Sequence, residues 1–488
     1  MRVDLLITAT LCLPWLQAAA GLLLGRFPLV RDSAVTALAI MGAAAAAALA
    51  VEAPAWNGLE ARLGDFGPGL SLSVLIEPLG AFMAALTALL GAMVTVFSIG
   101  YHRASGLRHA DRRQTAAGLT LAAALAAILA GNLATLFVCV MALAAAASAL
   151  VAVGAEGEAR KGAQTILAIM LAVAAGLLLP AAVALGAVAD GASFQPGGVF
   201  GANASALAIS TLMLLTIFGV AASGLLPMSG WVGAAATAPA PVGAMLYGVA
   251  VTPVGAFIIL KVCVYVFSGA LQRDLFATDI VLAVSAASTV ILGLVGLSQP
   301  DLRVRLAYVL AGQAAGVAAA AIAASPAGVL AAMFQLYALS SAGCLAFMAA
   351  GAVRAATGRT AAADMAGIGR ALPWTMAGFA VAVVSIVGLA PFAGAWGKFW
   401  LIVTAVDAER PWYGVVVALG AVVSFAALAS VATRAFADPA PKDPFKRADG
   451  ASLLMVAPIV FGVVILAALL FLVDPINIYF APIWEVAP

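Results

Sequence analysis

Charged residues are scarce in this chain. Only 9% of its 488 residues are Asp, Glu, Lys or Arg, and 65% are hydrophobic, whereas a soluble domain is roughly a quarter charged and half apolar. A water-soluble fold could not bury that much apolar surface. The 23 Lys and Arg against 21 Asp and Glu give a net charge of +2, which is no reason to expect a nucleic-acid partner. The composition therefore predicts an integral membrane protein.

Cysteine and histidine are equally rare. The four cysteines stand singly inside apolar segments, at no spacing that would suit a metal, and they are predicted to be small core hydrophobes. They are Cys12, Cys139, Cys263 and Cys344. His102 and His109 are placed in the third loop, among arginines. The sequence also lacks a nucleotide loop, a haem ligand pair, an iron–sulfur cysteine set and a catalytic triad. We therefore expect no cofactor and no metal, and a free-standing enzyme has little support.

Apolar runs long enough to cross a bilayer recur along the whole chain. A hydrocarbon core of about 30 Å needs roughly 20 such residues per helix. The predicted spans are 4–25, 34–51, 74–100, 114–131, 133–154, 162–189, 205–227, 239–260, 279–298, 304–324, 327–353, 371–402, 412–436 and 451–473. The first also fits a cleavable signal peptide, but the many spans behind it favour a retained helix. The fold class is thus an all-α polytopic bundle of about fourteen transmembrane helices.

The distribution of Lys and Arg predicts the orientation. With the N-terminus outside, seventeen basic residues fall in inward-facing loops, and Arg2, Arg62, Arg273 and Arg410 face outward. Positive loops stay cytoplasmic. We therefore expect a multi-pass protein of a bacterial-type inner membrane with both termini on the periplasmic side.

Two spans contain helix breakers. Pro391 lies between Gly388 and Gly394, and Pro253 is followed closely by Gly255. Interrupted helices at membrane depth are tolerated where protein or a wet cavity surrounds them, and transporters build ion sites there. The alternative is a simple kink repaired by neighbouring helices. For Pro391 we favour a functional break, because an ionisable residue follows seven positions later.

That residue, Lys398, is the main candidate for function. A lysine inside an apolar span is costly and is a functional candidate unless it snorkels to the headgroups. Lys261, at the end of its span, fits snorkelling better. No carboxylate falls in the middle of any predicted span, so the sequence offers few titratable groups for a continuous proton path. Several polar residues that do not exchange protons at ordinary pH could line a water channel, or they could simply hold helices together by hydrogen bonds. They are Ser223, Tyr247, Thr252, Gln313, Gln335 and Tyr337.

Five stretches resemble, in order, the motifs of one family. They are VFSIGYH ending at His102, GNLATLFVCVMAL at 131–143, GLLPMSGWVGAAATAPAPVGAMLY at 224–247, QPDLRVRLAYVLAGQ at 299–313 and GLAPFAGAWGKFW at 388–400. The chain is similar to the antiporter-like membrane subunits of respiratory complex I, Mrp sodium/proton antiporters and membrane-bound hydrogenases. That resemblance implies fourteen helices in inverted repeats, with one broken helix in the seventh-to-eighth region and one at the twelfth. It divides the chain into N-terminal helices (1–112), a first repeat (113–260), a second repeat (261–437) and a C-terminal helix and tail (438–488).

Several proton-path positions of that family are replaced here. Met141 stands where the family has a glutamate in the fifth helix, and Ala222 where it has the paired lysine of the seventh. Titratable positions of the eighth and eleventh helices hold Tyr247, Gln335, Leu339 and Gly343. Two basic positions remain, Arg303 in the tenth helix and Lys398 in the twelfth. Because a Glu–Lys pair exchanges a proton by shifting each partner's ionisation, losing both suggests a dismantled site.

The resemblance therefore implies a membrane subunit of a multisubunit, proton-coupled complex, complex I-like or Mrp-like, with its own proton path partly dismantled. Lys398 would carry protons or couple charge, and Arg303 would stabilise the charge distribution on the cytoplasmic side. The chain would be at most a non-catalytic subunit of an oxidoreductase or antiporter complex. Its expected partners are other membrane subunits and, through them, a soluble redox or hydration module. One alternative is a structural or docking subunit without ion conduction. Another is the membrane partner of an inorganic-carbon accumulation system.

Overall fold

The structure, a computed structural model, describes residues 2–56, 58–65, 71–188, 193–195, 197–200, 205–267, 272, 275–323, 325–439, 452–481 and 483. Its helices in the first half are α1 Arg2–Leu23, α2 Pro28–Glu52, α3 Pro78–Ser105, α4 Ala110–Ile128, α5 Leu133–Ala152, α6 Gly157–Val173, α7 Leu179–Val188, α8 Ala206–Gly219, α9 Val232–Ala235, α10 Ala240–Gly243 and α11 Thr252–Val262. Those of the second half are α12 Phe276–Leu297, α13 Leu302–Ala323, α14 Pro326–Thr357, α15 Pro373–Val387, α16 Ala393–Asp407, α17 Pro411–Ala437 and α18 Leu453–Phe480. Arg273, Lys442, Lys446 and Arg447, which contribute to the predicted charge bias, lie outside the described residues.

The predicted polytopic helical bundle is confirmed. Lipid offers no hydrogen-bond partners, so apolar runs satisfy their backbone groups internally as helices, and each of the fourteen predicted spans overlaps one or more of these elements. Within the described ranges, nine helices are long and apolar enough to cross a membrane, or ten if a bent pair within α18 counts as one span. The count of fourteen crossings stays a prediction.

Two helical segments form the centre of the bundle. The most apolar windows of Ala240–Phe267 and of α14 are buried over 100% of their residues, whereas those of α2 and α17 are 33% buried. Small residues let the two central segments approach closely. A Cβ on Gly248 would lie 2.5 Å from the backbone N of Cys344, so the contact requires glycine there. The perimeter helices therefore face lipid, and the central pair is shielded by protein.

The first discontinuity lies after α8. Residues between Gly219 and Val232 leave the regular helix, forming only two short 3₁₀ turns. The predicted break at Pro253 lies next to an irregularity within the span Ala240–Phe267, where a π-helical stretch at Ala244–Ala250 and a bend at Val251 precede α11. Pro253 occupies the first turn of α11, where a missing N–H is tolerated. The family-implied break in this region is present, but it precedes Pro239.

The second discontinuity is at the predicted place. α15 ends at Val387, Gly388 adopts a left-handed conformation with φ 89°, and α16 begins at Ala393. Pro391 lies in the gap between them. A left-handed glycine is a common helix C-terminus, so the local sequence ends one helix and starts another within the same predicted span.

A β-hairpin adds to the predicted all-α fold. β1 Leu59–Asp65 pairs antiparallel with β2 Ser71–Ile76, and Leu75 N donates to the carbonyl O of Leu129 beyond α4. The third predicted span began at residue 74, but α3 begins at Pro78. Glu77 ends the strand and caps the helix, since its side chain accepts from Gly80 N.

Candidate functional site

Lys398 is buried beside the break between α15 and α16. Lys398 is 7% exposed. Its Nζ donates to Gln313 Oε1 at 2.7 Å and to the carbonyl O of Ile386 at 2.8 Å. Ile386 lies in the last turn of α15, where carbonyls lack partners within the helix and the helix dipole favours a cation. The break thus creates an acceptor for the ammonium group in the interior of the bundle.

Glycine makes room for this lysine. A Cβ on Gly388 would overlap Lys398 Cδ, so the left-handed residue that ends α15 also leaves the path of the lysine stem open. In the described part of the chain Lys398 forms no ion pair. Its charge is therefore compensated by neutral oxygens alone.

An amide and hydroxyl network extends from Lys398. Gln313 Nε2 on α13 donates to Ser424 Oγ on α17 at 2.9 Å and to the carbonyl O of Gly420 at 3.3 Å. Gln335 Nε2 on α14 lies 3.5 Å from Gln313 Oε1. The structure therefore brings together Lys398, Gln313 and Gln335 of the predicted site residues, and it adds Ser424, which sequence reasoning missed. A serine in an apolar span gives too weak a signal to be selected without its neighbours.

The other predicted channel residues are engaged elsewhere. Tyr337 OH donates to the carbonyl O of Ile465 at 2.7 Å, and Ser223 Oγ donates to the carbonyl O of Val220 at 3.0 Å. Thr252 is buried, and within the described residues its hydroxyl has no hydrogen-bond partner. Tyr337 therefore ties α14 to α18, which is the second of the two predicted roles, whereas Ser223 bonds only within its own turn.

Tyr247 is also held by its surroundings. Its hydroxyl donates to the carbonyl O of Val232, and its ring stacks between Trp231 and Phe347 with ring centroids 5.7 and 5.4 Å away. The rings lie nearly parallel, at 9° and 13°. The stack packs Tyr247 against Phe347 of α14 with aromatic carbon on both faces of its ring.

Arg303, at the start of α13, contacts two separate segments of the chain. It donates to the carbonyl O atoms of Thr237 and Ala238 at 3.0 and 2.8 Å, and it forms an ion pair with Asp301 at 2.9 Å. Burial raises the pKa of Asp301, but the hydrogen bonds and charge of Arg303 outweigh burial and hold that pKa below its usual range. The guanidinium thus joins the segment after α9 to the start of α13.

The four positions predicted to lack the family's titratable residues hold packing residues. Ala222 and Leu339 are buried, at 0% and 3% exposure, Gly343 is also buried, and Met141 is partly exposed. A Cβ on Gly343 would lie 3.0 Å from Leu310 Cδ1, so no larger side chain fits there without rearrangement. These four positions cannot exchange a proton.

A buried ion pair lies where the sequence predicted none. Lys261 is 1% exposed, not snorkelling as predicted, and its Nζ lies 3.3 Å from Glu77 Oε1 and donates to the carbonyl O of Ile128 at 2.7 Å. Tyr265 OH donates to Glu77 Oε2 at 2.9 Å. Both charged residues stand near span ends, where contact with water is the usual expectation. The Glu-Pro pair before a long apolar run was the available signal of a buried helix cap.

Two further predictions need correction. His102 lies in the last turn of α3, not in a loop, and it is 5% exposed, because α3 continues to Ser105. Cys12 is exposed on α1, a helix whose span window is 39% buried, so it is not a core residue; Cys263 and Cys344 are buried as predicted. Among the residues that the structure describes, no group of three or more His, Cys, Asp or Glu could hold a metal ion.

Residues 130–424, more than half of the chain, match the family described as NADH:quinone oxidoreductase/Mrp antiporter, transmembrane. The chain belongs to this family. The predicted resemblance to antiporter-like subunits is thereby confirmed, and the break at α15–α16 with Lys398 lies within the matched residues.

Two curated relatives are named as subunits of NADH-quinone oxidoreductase. NADH-quinone oxidoreductase subunit N of Desulforudis audaxviator is 26% identical over 415 residues, which are 81% of this chain and 79% of that relative. NADH-quinone oxidoreductase subunit L of Mycobacterium tuberculosis is 30% identical over 218 residues, 43% of this chain. That match spans 33% of the longer relative.

Solved structures share the fold over nearly the whole length. A chain of the Mrp complex from Dietzia sp. DQ12-45-1b has a TM-score of 0.83 at 20% identity and covers 98% of this chain and 97% of its own. A chain of the membrane-bound sulfane sulfur reductase, an archaeal respiratory membrane complex, has a TM-score of 0.83 at 20% identity with 99% coverage of both. A chain of respiratory complex I from Thermus thermophilus has a TM-score of 0.73 at 21% identity, with 96% and 98% coverage. At these identities the likeness establishes the antiporter-like fold alone.

Proposed function

We propose that this chain is a membrane subunit of a multisubunit ion-translocating complex and that its second repeat, 261–437, moves protons through Lys398. The first repeat, 113–260, does not conduct. The observation that carries this proposal is the position of Lys398 Nζ, buried at a helix break and bonded to Gln313 Oε1 and the carbonyl O of Ile386. Buried lysines inside membrane proteins mark ion and proton pathways.

Neutral partners suit Lys398 to proton exchange. An ammonium group paired with a carboxylate leaves an unpaired charge when it loses its proton, whereas one bonded to an amide and a carbonyl does not. Two buried oxygens beside the break, Gln335 Oε1 and Ser385 Oγ, have no partner in the described structure. Buried polar atoms without protein partners are the usual positions of ordered water. Such water would join Lys398 to the amide network.

Among the described residues of 113–260, the first repeat offers no equivalent group. Met141 and Ala222 replace the family's Glu–Lys pair, and Tyr247 is enclosed by aromatic rings. Lys261, at the start of the second repeat, forms an ion pair with Glu77 near the ends of α3 and α4. The charges near this repeat are therefore fixed in structural contacts and cannot be exchanged easily.

The same proposal includes location and partners. The excess of Lys and Arg in loops on one side supports an inner membrane with both termini on the periplasmic side. The family supports other membrane subunits as direct partners, with a soluble redox or hydration module attached through them.

Proton flux in proteoliposomes tests the role of Lys398. The purified complex is reconstituted, and acidification of the lumen is followed with a pH-sensitive dye under an imposed potassium diffusion potential. We expect Lys398→Ala to abolish the flux that wild type shows. Lys161→Ala, which removes an exposed lysine paired with Glu158, is the matched control and keeps it. Unchanged flux in Lys398→Ala, with all subunits retained, would falsify the proposal.

A structural subunit without conduction is the second candidate. The contacts of Arg303 favour this candidate. Its hydrogen bonds to Asp301, Thr237 and Ala238 hold two segments of the chain together, which is a structural role and not a transport role. In that case Lys398→Ala lowers the yield of assembled complex, while the flux per assembled complex stays at the wild-type value. The ratio of flux to assembled subunits separates the two candidates.

A further inference from the structure

A small polar pocket lies between α1, α3 and α4, and none of its lining residues belongs to the Lys398 network. Its internal volume is about 20 Å³. A buried water molecule needs roughly 10–15 Å³, so the pocket has room for one water. Among its lining residues are Gln17, Thr95, Arg113, Gln114, Ala117 and Met245. We call it the Gln114 pocket.

Three polar side chains that line the pocket are deeply buried. Gln17 is 1% exposed, Gln114 is 4% exposed and Arg113 is 5% exposed. Within the described residues, Gln17 Oε1, Gln114 Oε1 and Arg113 Nε have no hydrogen-bond partner. Buried polar atoms are costly without a partner, and ordered water is the usual partner where the protein supplies none.

The buried guanidinium of Arg113 is solvated only in part. Its Nη2 donates to the carbonyl O of Val153 at 3.0 Å, and its Nη1 lies 3.4 Å from the carbonyl O of Arg108. In the part of the chain that the structure describes, no carboxylate pairs with it. An arginine cannot become neutral by losing a proton, so its charge depends on nearby oxygen atoms. The Nε donor therefore requires one more acceptor.

The amide of Gln17 has a defined orientation. Its Nε2 donates to Thr95 Oγ1 at 3.1 Å, and that hydroxyl donates to the carbonyl O of Gly91 at 2.9 Å. The amide nitrogen thus bonds to α3, which leaves Oε1 as the acceptor without a partner. The pocket therefore combines one acceptor from α1 with one acceptor and one donor from α4.

This combination of donors and acceptors identifies the ligand. A metal cation would suit the two amide oxygens, but the guanidinium would repel it. An anion would suit the guanidinium, but the amide oxygens would repel it. Water donates two hydrogen bonds and also accepts them, and three partners are typical of a buried water.

We infer that the Gln114 pocket binds one ordered water molecule that joins α1 to α4. Its oxygen accepts from Arg113 Nε, and its two hydrogens donate to Gln17 Oε1 and Gln114 Oε1. No proton changes hands, because Arg113 stays charged. The inference goes beyond the proposed function and does not depend on proton movement through Lys398.

X-ray radiolysis of the purified protein tests for this water. A short pulse generates hydroxyl radicals from bound as well as bulk water, and mass spectrometry locates the methionines that they oxidise. Met245 lines the pocket and is 1% exposed, whereas Met348 is 0% exposed and is not part of the lining. We expect radiolysis to oxidise Met245 severalfold faster than Met348. Hydrogen peroxide, which acts from bulk solvent, should oxidise both slowly and at similar rates.

Substitutions on α4 link the signal to the pocket. Ala117→Val fills the pocket, and Gln114→Leu removes one acceptor while keeping a similar volume. Both variants should lower the radiolytic oxidation of Met245 to the rate of Met348. Ala126→Val is the matched control, because Ala126 is a partly exposed residue of the same helix outside the pocket lining. It should keep the wild-type rate.

Four results would overturn the inference, and the first two need no variant. Equal radiolytic rates for Met245 and Met348 would mean that no water is bound. Fast oxidation of Met245 by peroxide would mean that bulk solvent enters the pocket. A Met245 rate that changes when sodium chloride is replaced by potassium gluconate would assign the pocket to an ion. An undiminished rate in both Ala117→Val and Gln114→Leu would place the source of the radicals elsewhere.

Discussion

Lys261 and Lys398, both buried in the bundle, differ in the groups that their ammonium nitrogens contact. Lys261 meets a carboxylate, Glu77, at 3.3 Å, whereas Lys398 meets an amide oxygen and a carbonyl. A buried ion pair stabilises both charged forms together, and removing one partner leaves an uncompensated charge. A lysine among neutral oxygens can become neutral without that consequence. The partner, and not burial itself, therefore separates a structural lysine from a candidate carrier.

The Glu77–Lys261 pair is expected to stabilise the fold. Lys261→Met leaves Glu77 buried without its cation, and we expect a loss of about 3–5 kcal/mol in the free energy of unfolding. Adding Glu77→Gln removes the orphaned charge and keeps an oxygen to cap Gly80 N, so the double variant should be more stable than the single one. Thermal unfolding in detergent measures the difference. A double variant less stable than Lys261→Met would contradict a simple charge-pair role.

We expect Arg303 to stabilise the fold through the planar geometry of its guanidinium group and not through its charge alone. Lys at this position keeps the positive charge but cannot reach Asp301 and the carbonyls of Thr237 and Ala238 together. We expect Arg303→Lys to lower the free energy of unfolding by about 1–3 kcal/mol, nearly as much as Arg303→Gln. Denaturation of both variants in detergent checks this. Full stability in Arg303→Lys would instead support the predicted charge-distribution role.

Residue-level prediction succeeded where a helix breaker accompanied the charged residue. Lys398 was predicted to be buried because it follows Pro391 by seven residues, although it stands four residues before the end of its predicted span, 371–402. Glu77 and Lys261 stood near span ends, where either snorkelling or burial is compatible with the sequence. Their burial depends on the packing of α3, α4 and α11 together, which no single segment reveals.

At the scale of the helix, the interruption between α15 and α16 has two effects. It frees the carbonyl O of Ile386 from helical bonding, and it brings the C-terminal end of α15 toward the lysine on α16. A continuous helix would bond that carbonyl to an N–H four residues later. The break is therefore the means by which a buried cation obtains an acceptor in the interior.

The break should be most sensitive to substitution at Gly388. In Gly388→Ala, the new Cβ overlaps Lys398 Cδ, so the lysine must move away from Ile386 in addition to the cost of a left-handed alanine. We expect proton flux to fall sharply. Gly106→Ala is the control, because Gly106 also has a positive φ of 61° but nothing lies within 4 Å of its Cβ position. Flux assays on both variants decide the matter; an equal reduction would mean that backbone strain alone is responsible.

The elements were predicted best where the apolar runs were long and continuous. The hydropathy pattern indicated the fourteen overlapping segments and the break at Pro391. The second strand was missed because SLSVLI ends one residue before Glu77-Pro78, and its last three residues, 74–76, were included in the helical span 74–100. At Pro253 the sequence could not give the extent of the break, because a proline in an apolar run signals an interruption whether it lies inside a helix or, as here after the bend at Val251, in its first turn.

At the scale of the whole molecule, the two halves of the bundle differ in their interiors. Tyr247 of the first half is stacked between Trp231 and Phe347, the latter on α14 of the second half, whereas the second half contains Lys398, Gln313 and Ser424 in hydrogen-bond contact. Hydroxyl and amide groups can exchange partners with water, and stacked rings cannot. A subunit of this kind would contribute one conducting half to its complex.

Matched conservative substitutions in the two halves test that asymmetry. Gln313→Leu removes the acceptor at 2.7 Å from Lys398 Nζ and leaves the carbonyl of Ile386 as the remaining partner. An unmade hydrogen bond to a buried charge costs about 1–3 kcal/mol, so flux should drop severalfold while the complex still assembles. Tyr247→Phe also removes one buried hydrogen bond, to Val232, but it keeps the aromatic stack and should leave flux unchanged. Proteoliposome flux normalised to assembled subunits gives both values. A decrease in Tyr247→Phe as large as that in Gln313→Leu would show that the first half conducts as well, and the assignment of transport to the second half would then have to be abandoned.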